Sequence, residues 1–236
     1  MEDVLNQLLE KLTKALGDRL VSVVLYGSAV TGDHHEKFSD LNILCALQQV
    51  TSRELADAEP IFRWWREKEN PAPLLLSEHE VQTCTDCFAI EFHDIKSQHR
   101  ILQGKDVISN LVVDGAFYRA QVEHDLRAKL LRLRQKASSA LLDADVLRRL
   151  LADSLSTFCV LFRHALLLHG VAAHSKKREI IQQANDNFGI DPLPFNKLLD
   201  LREERIKPRE LEPVGLFDSY LKQISIVIDA VDRLEK

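Results

Sequence analysis

The sequence predicts an α/β domain with a mixed sheet, residues 1–114, followed by an all-α helical bundle, residues 115–236. Three observations carry this expectation. Across the first hundred or so residues, short apolar runs of strand length alternate with stretches of helical periodicity. From Ala116 onward the pattern is helical throughout, broken by Gly170, Gly189, Pro192, Pro194 and Pro208, as in an antiparallel bundle with short connections. The character changes near Val113 to Gly115, and no internal repeat or low-complexity tract occurs on either side.

In chain order, Asp3 is placed to cap a first helix whose apolar positions Val4, Leu8, Leu9, Leu12 and Leu16 recur at helical spacing, and Gly17 ends it. Leu20 to Tyr26 is rich in valine and leucine and reads as a buried strand, stopped by Gly27-Ser28. Leu41 to Leu47 is a second run of strand length. Thr51 to Glu69 is a helix with Pro60 inside, predicted to kink or split there. Leu74 to Leu76 follows as a short strand, and Ser77-Glu78-His79-Glu80 has the spacing of a capping box that opens a small helix. Phe88 to Ile95 alternates enough to be a third main strand. In the second half, Val122, Leu126, Leu130 and Leu133 share one helical face. Further helices are expected at Asp145 to Ala173, Ser175 to Asn187, Phe195 to Arg205 and Leu216 to Leu234.

The bulk properties set outer limits. Hydrophobic residues make up 45% and charged residues 28% of 236, the composition of an ordinary globular protein. A net charge of −5 gives no global attraction to nucleic acid, so general nucleic-acid binding is not expected and any phosphate site is local. The first residues carry acids and lack the basic and apolar blocks of a secretory signal. The apolar stretch Leu155 to Val171 is cut by Arg163, His164 and His169, which are costly in lipid. A cytoplasmic protein without membrane contact follows as the expectation, with a homodimer left open. Cys45, Cys84, Cys87 and Cys159 are expected to be free thiols. Cys84-Thr85-Asp86-Cys87 lacks the second close pair that a four-ligand zinc site needs.

The residues that point to chemistry lie between the first two strands. A strand ending in Gly27-Ser28 turns sharply, and the glycine lets a phosphate approach the main chain while the serine hydroxyl and free N–H groups hold it. Asp40 follows after eleven intervening residues, at the start of the next strand. There it shares a strand face with Asn42, because side chains alternate with period two.

This ordered set, "LYGS" followed by "SDLN", resembles the signature of the polymerase-β-like nucleotidyltransferase superfamily, in which a Gly-Ser turn precedes an Asp-x-Asp or Asp-x-Glu strand and a third carboxylate lies on a later strand. The signature covers about twenty residues, and the two-domain layout is similar to that of aminoglycoside nucleotidyltransferases. The resemblance implies a nucleotidyltransferase fold that transfers a nucleoside monophosphate, AMP from ATP, to a hydroxyl acceptor with Mg²⁺. It implies that Gly27, Ser28 and Asn42 bind nucleotide phosphate, that Asp40, Asn42 and Glu91 ligate metal, and that Asp40 and Glu91 are catalytic. Glu91, in "AIEFHD", is matched to the third carboxylate, with Asp94 in reserve. The sequence departs from the pattern at Asn42, where an amide oxygen replaces a charged ligand. Asp33, Glu36 and Glu91 are candidates to compensate.

Two alternatives stay open. Loss of the second acid suits a degenerate nucleotidyltransferase domain that binds without efficient turnover. Arg163 followed by five residues and His169 resembles the motif of HEPN helical domains, some of which cleave RNA, and it also suits an interhelical polar contact. Several other features have plain explanations. Arg127, Lys129, Arg132, Arg134 and Lys136 flank a leucine stripe as the wet side of a helix, or else meet a triphosphate. Asp33-His34-His35 reads as a solvated loop. Trp64 and Trp65 are adjacent, so one packs and the other is partly exposed.

Overall fold

The computed structural model describes residues 1–27, 29–30, 41–113, 115 and 117–234. The chain divides into two compact units, Met1–Phe117 and Tyr118–Lys236.

The first unit is a four-stranded sheet in the order β3-β2-β1-β4, with β1 at Leu20–Tyr26, β2 at Asn42–Leu47, β3 at Leu74–Ser77 and β4 at His99–Gly104. β1 runs antiparallel to both β2 and β4, whereas β2 and β3 are parallel. Period-two alternation sorts the side chains onto two faces. Val23, Leu25, Ile43, Cys45 and Leu47 pack with Leu5, Leu8, Leu12 and Leu16 of α1 (Glu2–Leu16) and with Ile61 and Trp65 of α2 (Ser52–Arg66). Val24, Leu44 and Ala46 face the other way. They meet Val81 of α3 (Glu78–Thr83), Phe92 and Ile95 of α4 (Ala89–Ser97), and Ile108 and Leu111 beyond β4.

Local chemistry fixes the ends of these elements. Thr51 and Glu54 form a capping box at the start of α2, as Ser77 and Glu80 do for α3. α1 begins two residues earlier than the Asp3 cap predicts, with Met1 at the N-cap; Asp3 lies in the first turn, where a negative charge complements the helix dipole. Pro60 is accommodated inside a single helix, so α2 is not split.

One predicted element is corrected. Phe88 to Ile95 is not a strand but most of α4. Ile90 and Phe92 suggest period two, but Ala89, Phe92 and Ile95 recur every three residues and are buried together, which is the helical solution for this run. The strand beside β1 is β4, in a segment where Arg100 and Gln103 obscure the apolar pattern.

The second unit contains α5 (Tyr118–Ser138), α6 (Ala144–Leu168), α7 (Lys177–Phe188), α8 (Leu193–Arg202) and α9 (Pro213–Asp232). α6 is long and apolar enough to cross a membrane by length and composition, yet half of that stretch is buried among its neighbours. It packs against α5, α7, α8 and α9. Phe162 meets Phe195 of α8 edge-on, and Phe158 meets Tyr220 of α9. Asp143 caps α6 through two main-chain N–H groups, and Gly189 ends α7 in the left-handed conformation.

Candidate functional site

Gly27 follows the last residue of β1 at φ +81, a conformation that strains any residue with a Cβ. Its N–H donates to the Gln98 carbonyl oxygen at 2.9 Å, and its own carbonyl accepts from Val30 N–H at 3.0 Å, which closes a tight turn. An added Cβ would stand 3.3 Å from Nδ2 of Asn42. The glycine therefore satisfies two demands, a positive φ and close approach to the amide across the turn.

Asn42 opens β2 opposite Tyr26. The chain enters this position through a fixed point, because the N–H of Leu41 donates to Oδ1 of Asn70 at 3.1 Å. Across the sheet, Tyr26 is also paired with His99, the first residue of β4. Residues directly opposite one another point to the same face. Asn42, Tyr26 and His99 thus form a polar row at one end of the sheet, on the face that packs against α3 and α4.

α4 carries Glu91 and Asp94, three residues apart on one side of the helix. Burial of Tyr26, followed by the negative charges of Glu91 and Asp94, pushes the tyrosine hydroxyl up to about 12. Glu91 exerts the stronger of the two charge effects. The structure therefore brings Gly27, Asn42, Tyr26, Glu91 and Asp94 to the same end of the sheet, with Glu91 delivered by a helix instead of the expected strand.

Ser28 and Asp40 lie outside the described residues, as do Asp33, His34, His35 and Glu36. Among the described residues no group of three or more His, Cys, Asp or Glu could hold a metal ion. The donors near the turn are hard oxygens, the Asn42 amide and the carboxylates of Glu91 and Asp94. That donor chemistry fits Mg²⁺ carried by a nucleotide, which takes one or two protein carboxylates and completes its shell with phosphate and water, better than an ion caged by protein alone.

The remaining candidates have local partners. Arg127 pairs with Glu123 on its own helix and approaches Asp232 of α9 at 3.9 Å. Lys129, Arg132, Arg134 and Lys136 lie exposed along α5. His169, at the end of α6, sets its ring edge against Phe188 at 5.4 Å, and Arg163 is half-buried. Trp65 is fully buried, while Trp64 lies beneath the Lys11 ammonium, 5.0 Å from its ring. Cys45 and Cys159 are buried, Cys84 is half-buried and Cys87 is exposed. At Cys87 a hydrogen bond with Asp86 pushes the thiol above its ordinary range.

Sequence reasoning missed Tyr26, Asn70, Gln98 and His99 as parts of this region. Asn70 precedes Pro71, and nothing in its local sequence marks it as an acceptor for the Leu41 N–H. Gln98 acts through its carbonyl, which its side-chain identity does not encode.

No protein-family model matches the sequence, and neither does any curated protein. Among solved structures the chain is similar to spectinomycin adenyltransferase AAD(9) from Enterococcus faecialis, crystallised with ATP and spectinomycin. The TM-score is 0.63 at 12% identity, over 99% of this chain and 100% of that one. At such identity the likeness is one of fold. The chain has a nucleotidyltransferase fold, a mixed four-stranded sheet followed by a helical domain.

Proposed function

We propose that the chain transfers a nucleoside monophosphate, AMP from ATP, to a hydroxyl acceptor in the cytoplasm. The observation that carries this reading is convergence: the Gly27 turn, Asn42 and the carboxylates of α4 meet at one end of a sheet whose fold is shared with an adenyltransferase solved with ATP. Gly27, whose own N–H is taken by the Gln98 carbonyl, leaves room for the phosphates to approach the main chain, and Ser28 holds them through its hydroxyl. Asp40, Asn42 and Glu91 would hold Mg²⁺, which, when bound, neutralises phosphate charge and polarises the α-phosphate. Glu91, exposed on the first turn of α4, accepts the proton of the attacking hydroxyl, with Asp94 one turn behind it.

A second reading rests on Asn42. Its amide packs beside Gly27 and brings no charge, which suits a domain that binds nucleotide with little turnover. Calorimetric titration of ATP with and without Mg²⁺ separates the two, using wild type, Asp40→Ala and Asn42→Asp, together with an assay of pyrophosphate release. The transfer reading expects Mg²⁺-dependent binding and release in wild type, both lost in Asp40→Ala. Activity that appears in Asn42→Asp alone supports the degenerate domain. Absence of binding in all three refutes both.

A further inference from the structure

The polar row continues past Tyr26 to His99, whose imidazole takes no part in the transfer proposed above. His99 stands one strand from Asn42 in the row that runs through Tyr26, and its neighbour Gln98 accepts the N–H of Gly27. The imidazole therefore borders the turn assigned to phosphate binding. Its Nδ1 is 3.1 Å from the Lys96 carbonyl oxygen, which can only accept, so the proton is placed on Nδ1 and Nε2 is left basic. Nε2 lies 3.4 Å from the hydroxyl of Ser109, an exposed residue in the segment after β4.

That segment is held in place. The N–H groups of Ile108 and Ser109 donate to Asp106 Oδ1 at 3.0 and 2.9 Å, and the Lys96 ammonium donates to the Leu111 carbonyl at 2.5 Å, which ties the segment to α4. Hydrogen bonds from Ser109, its side chain first, hold the Asp106 carboxyl down at about 2. Asp106 is thus an anion that accepts from the Ser109 hydroxyl and a poor proton acceptor, which leaves the Nε2 lone pair of His99 as the group placed to take the proton. The Ser109 hydroxyl, which donates to Asp106 at rest, lies 3.4 Å from a ring nitrogen to which it can turn, on an imidazole oriented by the Lys96 carbonyl.

We propose that Ser109 is a modification site, at which the chain adenylylates its own hydroxyl with His99 taking the proton. This rests on the nucleotidyl-transfer reading. Ser109 Oγ forms a bond to the α-phosphorus of ATP, the bond from that phosphorus to the bridging oxygen of the β-phosphate breaks, and pyrophosphate leaves with the electron pair. The hydroxyl proton passes to His99 Nε2. The present 3.4 Å is longer than an optimal hydrogen bond, and such catalytic contacts shorten when substrate orders the site.

The test incubates the full chain with Mg²⁺ and ATP, as wild type, Ser109→Ala and His99→Gln. Intact mass and peptide mapping read modification, and calorimetry reads ATP binding separately. Wild type should gain one adenylyl group on the peptide holding Ser109, Ser109→Ala should gain none while still binding ATP, and His99→Gln should be slowed about a hundredfold. ATP binding without an adenylyl-protein, or a label that persists in Ser109→Ala, overturns the assignment and leaves transfer to other acceptors standing. An unslowed His99→Gln overturns the role of the histidine. Failure of wild type to bind ATP overturns the nucleotidyl-transfer reading, and this assignment with it.

Discussion

The two faces of the sheet are built from the same strands and do different work. Toward α1 and α2 the central strands β1 and β2 present Val23, Leu25, Ile43, Cys45 and Leu47, and the layer is closed by Trp65 and four leucines of α1, with polar Arg100 and Gln103 confined to the edge strand β4. Toward α3 and α4 the middle of the sheet is equally apolar, but its end is the row Asn42, Tyr26 and His99, with Glu91 and Asp94 above it. The difference arises at the strand ends, where alternation runs past the core and brings polar residues onto a covered face. One face holds the domain together, and the end of the other is free to take on chemistry.

Substitutions on each face should separate stability from binding. The largest expected effect is Trp65→Ala on the closed face. Removing a fully buried indole leaves a cavity and should cost about 3–5 kcal/mol in denaturant unfolding, with nucleotide binding changed only as far as the fold is lost. Gly27→Ala, at the end of the polar face, should do the reverse. The strain at φ +81 costs about 1 kcal/mol of stability. Displacement of the turn from Asn42 should weaken ATP by about tenfold or more, equivalent to about 1.4 kcal/mol, in calorimetry. A Gly27→Ala protein that binds ATP as well as wild type would break the assignment of the two faces.

The smallest effect is a pH dependence on the closed side. Glu54, buried on α2, is hydrogen-bonded by Thr51 and by Arg19 at 2.7 Å, and its carboxyl is held down from 4.5 to about 2, by the Thr51 hydroxyl first. A carboxyl depressed on folding contributes stability that is complete above its unfolded value and disappears as pH falls through its folded one. Thermal unfolding should therefore show a loss as pH falls from 4.5 to about 2 that is smaller in Glu54→Gln than in wild type, the remainder belonging to other depressed carboxyls such as Asp106.

Legibility in the sequence follows the same division. β1 is read at its observed bounds because a valine-rich run meets a glycine, and the helices of the second unit lie within a few residues of their predicted places because their apolar stripes are long. Gly27 and Asn42 were legible from local spacing. Glu91 was legible as a residue but not as a helical one, since nine residues with apolar positions at both two and three apart satisfy either period. β4 escaped because an edge strand with Arg100 and Gln103 has little apolar signal. The row through Tyr26 and His99 was beyond reach: strand register is a tertiary property, set by pairing partners distant in sequence.

The central claim is that nucleotide binds at the polar end of the face that carries α4. A crystal structure of the chain with Mg²⁺ and a non-hydrolysable ATP analogue tests it most directly. The phosphates should lie against the Gly27 turn, with Asn42 and Glu91 beside them; an analogue bound elsewhere on the chain, or none bound under saturating conditions, would contradict it.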